Sequence, residues 1–253
     1  MSRTAVVILN YNGEKLLRQF LPSVLQHSTG AEIIVTDNAS SDQSVPILRQ
    51  YFPQVRLIQL DDNYGFCGGY NRALKQVQAD YYVLLNSDIE VTANLLTPMI
   101  QLLDNNPDIA AVQPKILSFH HRTRFEHAGA GGGYVDSLGY PFCRGRIFDH
   151  IEEDTGQYDD ELPVFWASGA CMMIRSEAFH AFGGFDEDFF AHMEEIDLCW
   201  KLHRASQSIY YCGKSTIYHV GAGTLGYGNP RKVFLNFRNG LALIYKHFTT
   251  REI

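Results

Sequence analysis

Short apolar segments alternate with longer amphipathic ones over the first 90 residues. The apolar segments have the length and composition of buried strands and cover residues 4–9, 32–36, 55–60 and 81–85. The segments between them have helical spacing and cover residues 13–27, 42–52 and 70–78. Because strand–helix–strand units cross over with one hand, this alternation predicts an α/β fold with a mostly parallel sheet and helices on both faces.

Polar residues follow each of the four predicted strands. The carboxyl ends of parallel strands meet at one edge of a sheet, where open α/β proteins bind ligands. Asn and Asp are also ordinary turn residues, so a plain turn explains any one of these positions. Their presence after all four strands predicts a common crevice, to which these residues contribute: Asn10, Asn12, Asp37, Asn38, Asp61, Asn63, Asn86 and Asp88.

Asp88 follows the clearest strand end. The apolar run before it stops at Asn86, and a carboxylate placed there can hold a divalent metal; the alternative is an Asx-type turn. His219 follows another apolar stretch and precedes a glycine-rich loop at 221–223. A site with a single carboxylate needs a further ligand, which an imidazole can supply, although a strand-end histidine is more often structural.

The glycine pattern of dinucleotide-binding folds is missing after the first predicted strand, where Asn12 stands in a polar turn. Glycines occur instead at Gly65, Gly68 and Gly69, just before the predicted helix 70–78. Such a turn could bring backbone N–H groups to a phosphate or sugar, and a flexible connection explains it equally well.

The second half of the chain has a less regular pattern. It predicts strands at 110–117 and 164–174, a hairpin formed by 208–212 and 215–220, and an amphipathic helix at 231–248. Packing on the domain and contact with a membrane surface both explain the apolar and basic faces of the last helix.

Glu195 lies in a predicted acidic helix. It heads a helical stripe that continues through Leu198, Cys199 and Leu202, so its carboxylate adjoins an apolar face. Burial there raises a carboxyl pKa, as a general base requires, whereas the first turn of a helix lowers it. The sequence leaves the net sign open.

Glu194, Asp197 and Lys201 share a different face of that helix. A solvated ion-pair arrangement is the ordinary explanation for such a group. A role of Glu194 or Asp197 in the site is the alternative.

Composition and charge narrow the class of protein. The chain has 253 residues, is 45% hydrophobic and carries a net charge of −7, which fits one large domain and argues against a nucleic-acid partner. No apolar stretch approaches about 20 residues, and the start lacks a signal-peptide layout, so we expect a cytoplasmic protein. Five cysteines without a C-x-x-C pair fit reduced thiols.

The positive charge of the chain is concentrated near its C-terminal end. From Lys214 onward there are six Lys or Arg and one Glu. This distribution indicates an anionic partner, such as phosphate or a membrane surface; the alternative is a solvated helix face.

Seven segments, taken in order, resemble those of family 2 glycosyltransferases with the GT-A fold, a Rossmann-like architecture, and bacterial rhamnosyltransferase-like members in particular. The resemblance covers nearly the whole chain. The segments are Val7-Ile8-Leu9-Asn10-Tyr11-Asn12, Asp37-Asn38-Ala39-Ser40-Ser41-Asp42, Asn63-Tyr64-Gly65-Phe66 with Gly69-Tyr70-Asn71, Leu84-Leu85-Asn86-Ser87-Asp88, Trp166-Ala167-Ser168-Gly169-Ala170, Glu194-Glu195-Ile196-Asp197-Leu198-Cys199-Trp200 and Tyr218-His219.

This resemblance implies an inverting glycosyltransferase that moves a sugar from a dTDP- or UDP-linked donor to a hydroxyl of a saccharide or lipid-linked saccharide in cell-surface glycan synthesis. It implies Glu195 as catalytic base, Asp88 and His219 as ligands of Mn²⁺ or Mg²⁺, and Glu194 and Asp197 at the acceptor or supporting the site. The implied donor-binding residues are Asn10, Asn12, Asp37, Asn63, Gly65, Asn86, Ser87, Trp166 and Gly169.

The implied organisation is a single domain over residues 1–253. Its nucleotide-binding half covers 1–90, its acceptor and catalytic half 91–230, and its C-terminal amphipathic helix 231–253, where relatives often continue further. We expect a cytoplasmic location with peripheral contact at the inner face of the membrane.

The chain departs from the family pattern in two places. Asn86, Ser87 and Asp88 keep only the last carboxylate of an Asp-x-Asp motif, and Glu195 stands where many relatives have Asp. One carboxylate, one imidazole and diphosphate oxygens can complete an octahedral site, so we expect the metal to bind together with the donor.

A nucleotidyltransferase and a non-catalytic nucleotide-sugar-binding protein are the alternative functions. The sequence does not specify the sugar, the base or the acceptor.

Overall fold

The structure is a computed structural model that describes residues 2–126, 129–221 and 229–248. Its strands are β1 Thr4–Asn10, β2 Glu32–Asp37, β3 Arg56–Gln59, β4 Tyr81–Asn86, β5 Ile89–Val91, β6 Ile109–Ser118, β7 Gly133–Val135, β8 Pro141–Cys143, β9 Arg146–Ile147, β10 His150–Ile151, β11 Glu161–Val164, β12 Cys171–Arg175 and β13 Ser208–His219. Its helices are α1 Glu14–His27, α2 Ser44–Tyr51, α3 Gly65–Leu74, α4 Leu96–Asn105, α5 Ser176–Ala181, α6 Glu194–Arg204 and α7 Pro230–His247.

One twisted sheet runs through the molecule in the order β11-β13-β6-β12-β4-β1-β2-β3, and β5 pairs with the far half of β13. The four strands β3, β2, β1 and β4 are parallel, as the sequence predicts. Strand β12 lies antiparallel between β4 and β6 and so joins the two halves of the chain in a single sheet. The carboxyl ends of β1 and β2 are in register at Asn10 and Asp37, which brings the predicted polar strand ends to one edge.

Two apolar layers cover the two faces of this sheet. Alternate residues of β1 point to opposite layers: Val6 and Ile8 belong to the layer with α1, α2 and α4, and Ala5 and Val7 to the layer with α3, α5 and α6. The strands are buried on both sides, which explains why they read as continuous apolar runs. The prediction of helices on both faces is therefore confirmed.

Helix α3 differs from its predicted bounds. It begins at Gly65 rather than at residue 70, so the glycines form its first turns instead of a turn before it. Gly65 has a φ of +68°, a region that glycine adopts without strain. A Cβ on Gly69 would lie 2.7 Å from Leu9 Cδ1, so Gly69 permits close packing of α3 on β1.

Two predicted strand arrangements in the second half are wrong. The predicted strand 164–174 is two strands, β11 and β12, that lie in different parts of the sheet. The predicted hairpin over 208–220 is the single strand β13, which stays parallel to β6 across an irregularity between Cys212 and Thr216. A local polar break in an apolar run does not reveal whether a strand ends or bulges, because the neighbouring strand decides this.

One further strand and the last helix agree with the predictions from the sequence. The strand predicted at 110–117 and the helix predicted at 231–248 are confirmed as β6 and α7. The five cysteines are free and buried. Gly223 and residues 249–253 lie outside the described residues. No helix in the described ranges is both long and apolar enough to cross a membrane.

Candidate active site

The ends of β1 and β2 are tied together by a side-chain network. Nδ2 of Asn10 donates to Asp37 Oδ1 at 3.0 Å and to Ser40 Oγ at 3.2 Å, and Asn10 and Asp37 are both buried. Asn12, in the loop after β1, belongs to the same network. Its backbone N–H donates to Ser40 Oγ at 2.8 Å, and its side-chain Oδ1 accepts from Ser41 N. Asn12 has a φ of 51°, a conformation that asparagine tolerates better than most residues. The network fixes a polar wall at the carboxyl ends of the strands.

Asn38 links this wall to the loop before α3. Its Nδ2 donates to Asn63 Oδ1 at 3.0 Å and to Gly65 O at 2.9 Å, while Gly65 N donates to Asn63 Oδ1. The next two N–H groups of α3, those of Phe66 and Cys67, donate to the carbonyl of Phe190. The N–H groups of Gly65, Phe66 and Cys67 therefore already have acceptors within the protein, which does not favour the alternative that the glycine turn presents its backbone N–H groups to a phosphate or sugar.

Asp88 and His219 meet at the end of the sheet. His219 Nε2 lies 3.2 Å from Asp88 Oδ1, and both side chains are buried. Glu126, also buried, lies on the other side of the ring, with its Oε2 3.5 Å from His219 Nδ1. Burial alone would lower the pKa of His219, but the carboxylates of Asp88 and Glu126 outweigh it and raise that pKa to about 10.

The side chains of Asp88 and His219 fit a divalent cation that is shared with a ligand, once the proton that the neighbouring carboxylates hold on His219 has been released. The described residues contain no group of three His, Cys, Asp or Glu side chains placed to hold a metal unaided. One carboxylate and one imidazole leave positions that diphosphate oxygens and water can fill. Asn86 and Ser87 lie half-buried beside this pair, where the backbone N–H of Asn86 donates to Ala170 O at 2.9 Å.

Glu194 and Glu195 begin α6, next to Gly169. A Cβ on Gly169 would lie 3.7 Å from Glu195 Cδ and 3.8 Å from Glu194 Oε1, so the two carboxyl groups share the space that this glycine leaves open. Burial raises the pKa of Glu195, and hydrogen bonds from backbone groups offset only part of this effect. Burial and the neighbouring charge of Glu195 raise the pKa of Glu194 further. The direction of the Glu195 pKa shift, which the sequence leaves open, is thus upward, as a general base requires.

Asp197 is not on a solvated face, contrary to the expectation from helical spacing. It is 0% exposed, and its carboxylate lies 2.6 Å from the Nζ atoms of Lys201 and Lys246 and 2.8 Å from His247 Nε2. Burial alone would raise the pKa of Asp197, but the hydrogen bonds with these three groups hold it well below its ordinary value. Two of the three partners belong to α7, which covers this face of α6. Asp197 therefore holds α7 in place, and the described contacts give it no direct part in the site.

Trp166 approaches the site from the segment between β11 and β12. Its ring is buried against Gly133, and its Nε1 donates to Tyr134 O at 2.8 Å. The tryptophan thus anchors β7 to the segment that carries Gly169. The segment 168–170 in turn contacts both Asn86 and the two glutamates, so it connects the Asp88 side of the site to the Glu195 side.

Sequence reasoning missed Glu126 and Asn239. Glu126 stands in a segment with no motif around it, and the pairing of that segment with β6, the neighbour of β13, brings it to His219. Asn239 lies on the buried side of α7 and contacts the loop before α6. A polar residue on the buried side of an amphipathic helix is the one sequence signal that could have indicated it.

Comparisons with known proteins agree with the fold. Residues 5–183 match the family model of glycosyl transferase family 2. The chain is 27% identical to N-acetylglucosaminyl-diphospho-decaprenol L-rhamnosyltransferase of Mycobacterium tuberculosis, over 87% of this chain and 77% of that protein. It is 24% identical to a low-salt glycan biosynthesis hexosyltransferase of Haloferax volcanii, over 93% of this chain and 73% of that protein.

Two solved structures have the same fold. GalNAc-T7 with UDP, GalNAc and Mn²⁺ matches with a TM-score of 0.74 at 14% identity, over 97% of this chain and 48% of that chain. The mannosyltransferase PcManGT from Pyrobaculum calidifontis, in complex with GDP-Man and Mn²⁺, matches with a TM-score of 0.68 at 15% identity, over 98% of this chain and 65% of that chain. The chain thus spans about half to two thirds of these solved chains. With the GT-A architecture and the family match over most of its length, this protein belongs to glycosyltransferase family 2.

Proposed function

We propose that this protein transfers a sugar from a nucleotide diphosphate sugar, dTDP- or UDP-linked, to a hydroxyl of a saccharide or lipid-linked saccharide, with inversion at the anomeric carbon. The supporting observation is that the segment 168–170 contacts both the strand end before Asp88 and the raised-pKa pair Glu194 and Glu195. The strand that leads to the proposed metal ligand Asp88 and the proposed general base Glu195 are thereby joined through one short segment. The product would be a cell-surface glycan, as the names of the relatives indicate for those proteins.

Donor binding is proposed at the polar wall of β1, β2 and β4. Asp37 and Asn10 lie buried at the strand ends, and Asn10 Oδ1, which has no hydrogen-bond partner among the described residues, can accept from a nucleoside. Asn12, Asn63 and Gly65 line the loops on that side. Asn86, Ser87, Trp166 and Gly169 lie on the side toward Glu195.

Asp88 and His219 are the residues that would hold Mn²⁺ or Mg²⁺. The metal, when bound, would neutralise negative charge on the departing diphosphate. Asp88 supplies a hard oxygen ligand, and the His219 imidazole makes Mn²⁺ a better fit than Mg²⁺. Asp88→Ala is expected to bind the donor weakly even with Mn²⁺ present, and unchanged affinity in calorimetry would remove Asp88 from this role.

Glu195 takes the proton from the acceptor hydroxyl as the acceptor oxygen attacks the anomeric carbon and the bond to the diphosphate breaks. Its raised pKa suits this role, because a base with a pKa nearer neutrality holds the transferred proton better. Glu195 as a residue is half-buried, and its Oε2 is buried without a hydrogen-bond partner among the described residues, so this oxygen is available to accept the proton. General-base assistance of this kind contributes about 10² to 10⁴ in rate.

The outer face of α7 supports peripheral contact with the membrane that carries a lipid-linked acceptor, on its cytoplasmic side. Large apolar side chains are exposed four residues apart along this helix, and α7 contains basic residues but no acidic one. Basic residues beside an apolar stripe are the pattern of helices that lie on anionic lipid surfaces. The loop at Gly139, beside Ile244 and Phe248, adds two further exposed side chains. The residues of this proposed surface are Val233, Phe234, Phe237, Leu241 and Tyr245, with Leu138 and Tyr140.

A panel of nucleotide sugars, with and without Mn²⁺, tests the proposal. A donor present at 100 times its Kd adds about 2.7 kcal/mol to the free energy of unfolding, which a thermal-shift assay detects. We expect a dTDP- or UDP-sugar to stabilise the protein only with Mn²⁺, and slow Mn²⁺-dependent hydrolysis of that donor to release the nucleoside diphosphate. Conversion of the nucleotide sugar and added pyrophosphate into a nucleoside triphosphate and a sugar 1-phosphate would indicate a nucleotidyltransferase, and binding without any turnover would indicate a non-catalytic binding protein. The anomeric proton coupling of the transferred sugar reports inversion.

A further inference from the structure

The loop between residues 189 and 193 has an unfavourable backbone conformation and leads directly into α6. Phe190, His192 and Met193 have φ values of 64°, 71° and 71°, in a region that non-glycine residues rarely adopt. A segment with three such residues keeps its shape only when its surroundings hold it. The next two residues are Glu194 and Glu195, so the shape of this loop sets where α6 begins.

Asn239 of α7 holds the loop from one side. It is 1% exposed, and its Nδ2 lies 3.1, 2.9 and 2.7 Å from the carbonyl oxygens of Phe189, Ala191 and His192. An amide group has two hydrogens, so the three carbonyls share its donors. Arg238 fixes the orientation of the amide, because its Nε donates to Asn239 Oδ1 at 2.9 Å. One side chain thus donates to three carbonyls of a five-residue loop, and the Phe189 carbonyl accepts in addition from Arg238 Nη2 at 2.9 Å and from Ala191 N at 2.7 Å.

Helix α3 holds the same loop from the other side. The carbonyl of Phe190 accepts from the backbone N–H groups of Phe66 at 2.9 Å and Cys67 at 3.3 Å. A Cβ on Gly65 would lie 2.6 Å from the Phe190 ring, so the contact requires glycine at that position. The loop is therefore fixed between α7 and the proposed donor-side helix. Its last residue, Met193, provides the carbonyl that accepts from Asp197 N at 3.0 Å and so begins α6.

We propose that Asn239 is a positioning residue for Glu195. It fixes the three loop carbonyls, and through them the start of α6, so that the Glu195 carboxylate faces the acceptor hydroxyl. This inference rests on the proposed role of Glu195 as general base. Asn239 itself does not contact substrate; it acts through the backbone of residues 189–193.

A pair of truncations on the buried side of α7 tests this role. Asn239→Ala removes the amide, and Leu243→Ala, one turn further along the buried side, removes apolar packing but no hydrogen-bonding group. We expect Asn239→Ala to lower kcat about 10- to 100-fold relative to Leu243→Ala, because small displacements of a reacting group cost this much. The KM for the donor should stay close to that of Leu243→Ala. The acidic limb of the pH–rate profile should move in Asn239→Ala only, since the surroundings of Glu195 change.

Hydrogen exchange gives a readout that is independent of turnover. The amide protons of Phe66 and Asp197 should exchange faster in Asn239→Ala than in Leu243→Ala, since the carbonyls that protect them belong to the loop. Asn239→Gln keeps the amide but displaces it by one methylene, so its kcat should lie between those of wild type and Asn239→Ala. It replaces Asn239→Ala as the test variant if Asn239→Ala does not fold.

Equal kcat losses in the two alanine variants, or unchanged exchange at Phe66 and Asp197, would overturn the proposal for Asn239. The failure of the proposed function gives a different result. If Glu195→Gln turns over like wild type, Glu195 is not the base, whatever the Asn239 variants do.

Discussion

Nε2 of His219 lies 3.2 Å from Oδ1 of Asp88, although the two residues are 131 positions apart in the sequence. Strand β13 brings the histidine there, because its far half pairs with β5, the short strand that follows Asp88. Val220 N also donates to Asp88 O at 3.1 Å, which fixes the two backbones relative to each other. The proposed metal pair is thus held by backbone pairing as well as by its own side chains.

Glu126 is expected to strengthen metal binding through His219. A carboxylate beside the second nitrogen of a metal-binding imidazole orients the ring, and its loss typically costs about 10- to 100-fold in metal affinity. We therefore expect Glu126→Gln to weaken Mn²⁺ binding in the presence of UDP or dTDP by about tenfold, measured by electron paramagnetic resonance of free Mn²⁺. Asp88→Asn and His219→Ala should lose more. Glu153→Gln, which changes an exposed carboxylate paired with Arg124, is the control and should bind as wild type does.

Glu195→Gln and Glu194→Gln should differ in kcat and in the pH dependence of kcat/KM. Glu195→Gln is expected to lose about 10² to 10⁴ in kcat with donor affinity retained, because glutamine cannot accept the proton. Glu194→Gln keeps the base but removes a carboxyl that shares the pocket at Gly169. In Glu194→Gln we expect the acidic limb of the profile of kcat/KM against pH to move to lower pH, since Glu195 has lost an acidic neighbour. An unmoved limb would mean that the two carboxyls titrate independently.

His192 should make the protein less stable below neutral pH. Burial, and then the charge of Lys232, lower the pKa of His192 to about 4, compared with an ordinary value of 6.5. Between these values the unfolded chain binds more protons, so the free energy of unfolding falls as the pH decreases from about 6.5 to about 4, by up to about 1.4 kcal/mol per pH unit. Urea unfolding at pH 7 and pH 5 should show a smaller difference for His192→Gln than for wild type. His121→Gln, at an exposed histidine, should match wild type.

Asp197 should contribute strongly to stability through its contacts with α7. Asp197→Asn leaves Lys201 and Lys246 without their buried counter-charge, and we expect a loss of about 3 kcal/mol in the free energy of unfolding. Because the folded pKa of Asp197 is lowered, its contribution is present above about pH 4, the pKa of an unfolded aspartate, and is lost as the pH falls through the folded value. Lys214→Ala, which removes an exposed partner of Glu161, should cost about 1 kcal/mol or less in the same urea titration.

The outer face of α7 should bind anionic vesicles. Phe237→Asp and Leu241→Asp each place a charge on the exposed apolar stripe and are expected to weaken binding about tenfold or more, measured by co-sedimentation with phosphatidylglycerol vesicles. Tyr51→Asp changes an exposed aromatic residue on α2 and should leave binding unaltered. Binding should weaken in high salt, because basic residues contribute to it. If wild type fails to sediment with these vesicles at low salt, the proposed surface is wrong.

Much of the first half could be predicted from the sequence because its signals are local. An apolar run of strand length, buried on both faces, and the polar residue that ends it are neighbours in the chain. The network of Asn10, Asp37 and Ser40 follows from the parallel order of the strands that carry these residues. The bounds of α3 were missed because its glycines, read as a loop, have a packing role against Leu9 that appears only in three dimensions.

The sequence by itself determined the α/β class, the family and the chemical types at the strand ends, since periodicity and ordered motifs are properties of the chain alone. Tertiary structure decided what each carboxylate does. Asp197 is a buried anchor because α7 covers its face of α6. Glu126 meets His219 because a segment without a motif pairs with β6, the neighbour of β13. Glu195 has a raised pKa because burial outweighs the hydrogen bonds from nearby backbone groups. Burial and charge pairing depend on which distant segments come together, and helical spacing carries no information about that.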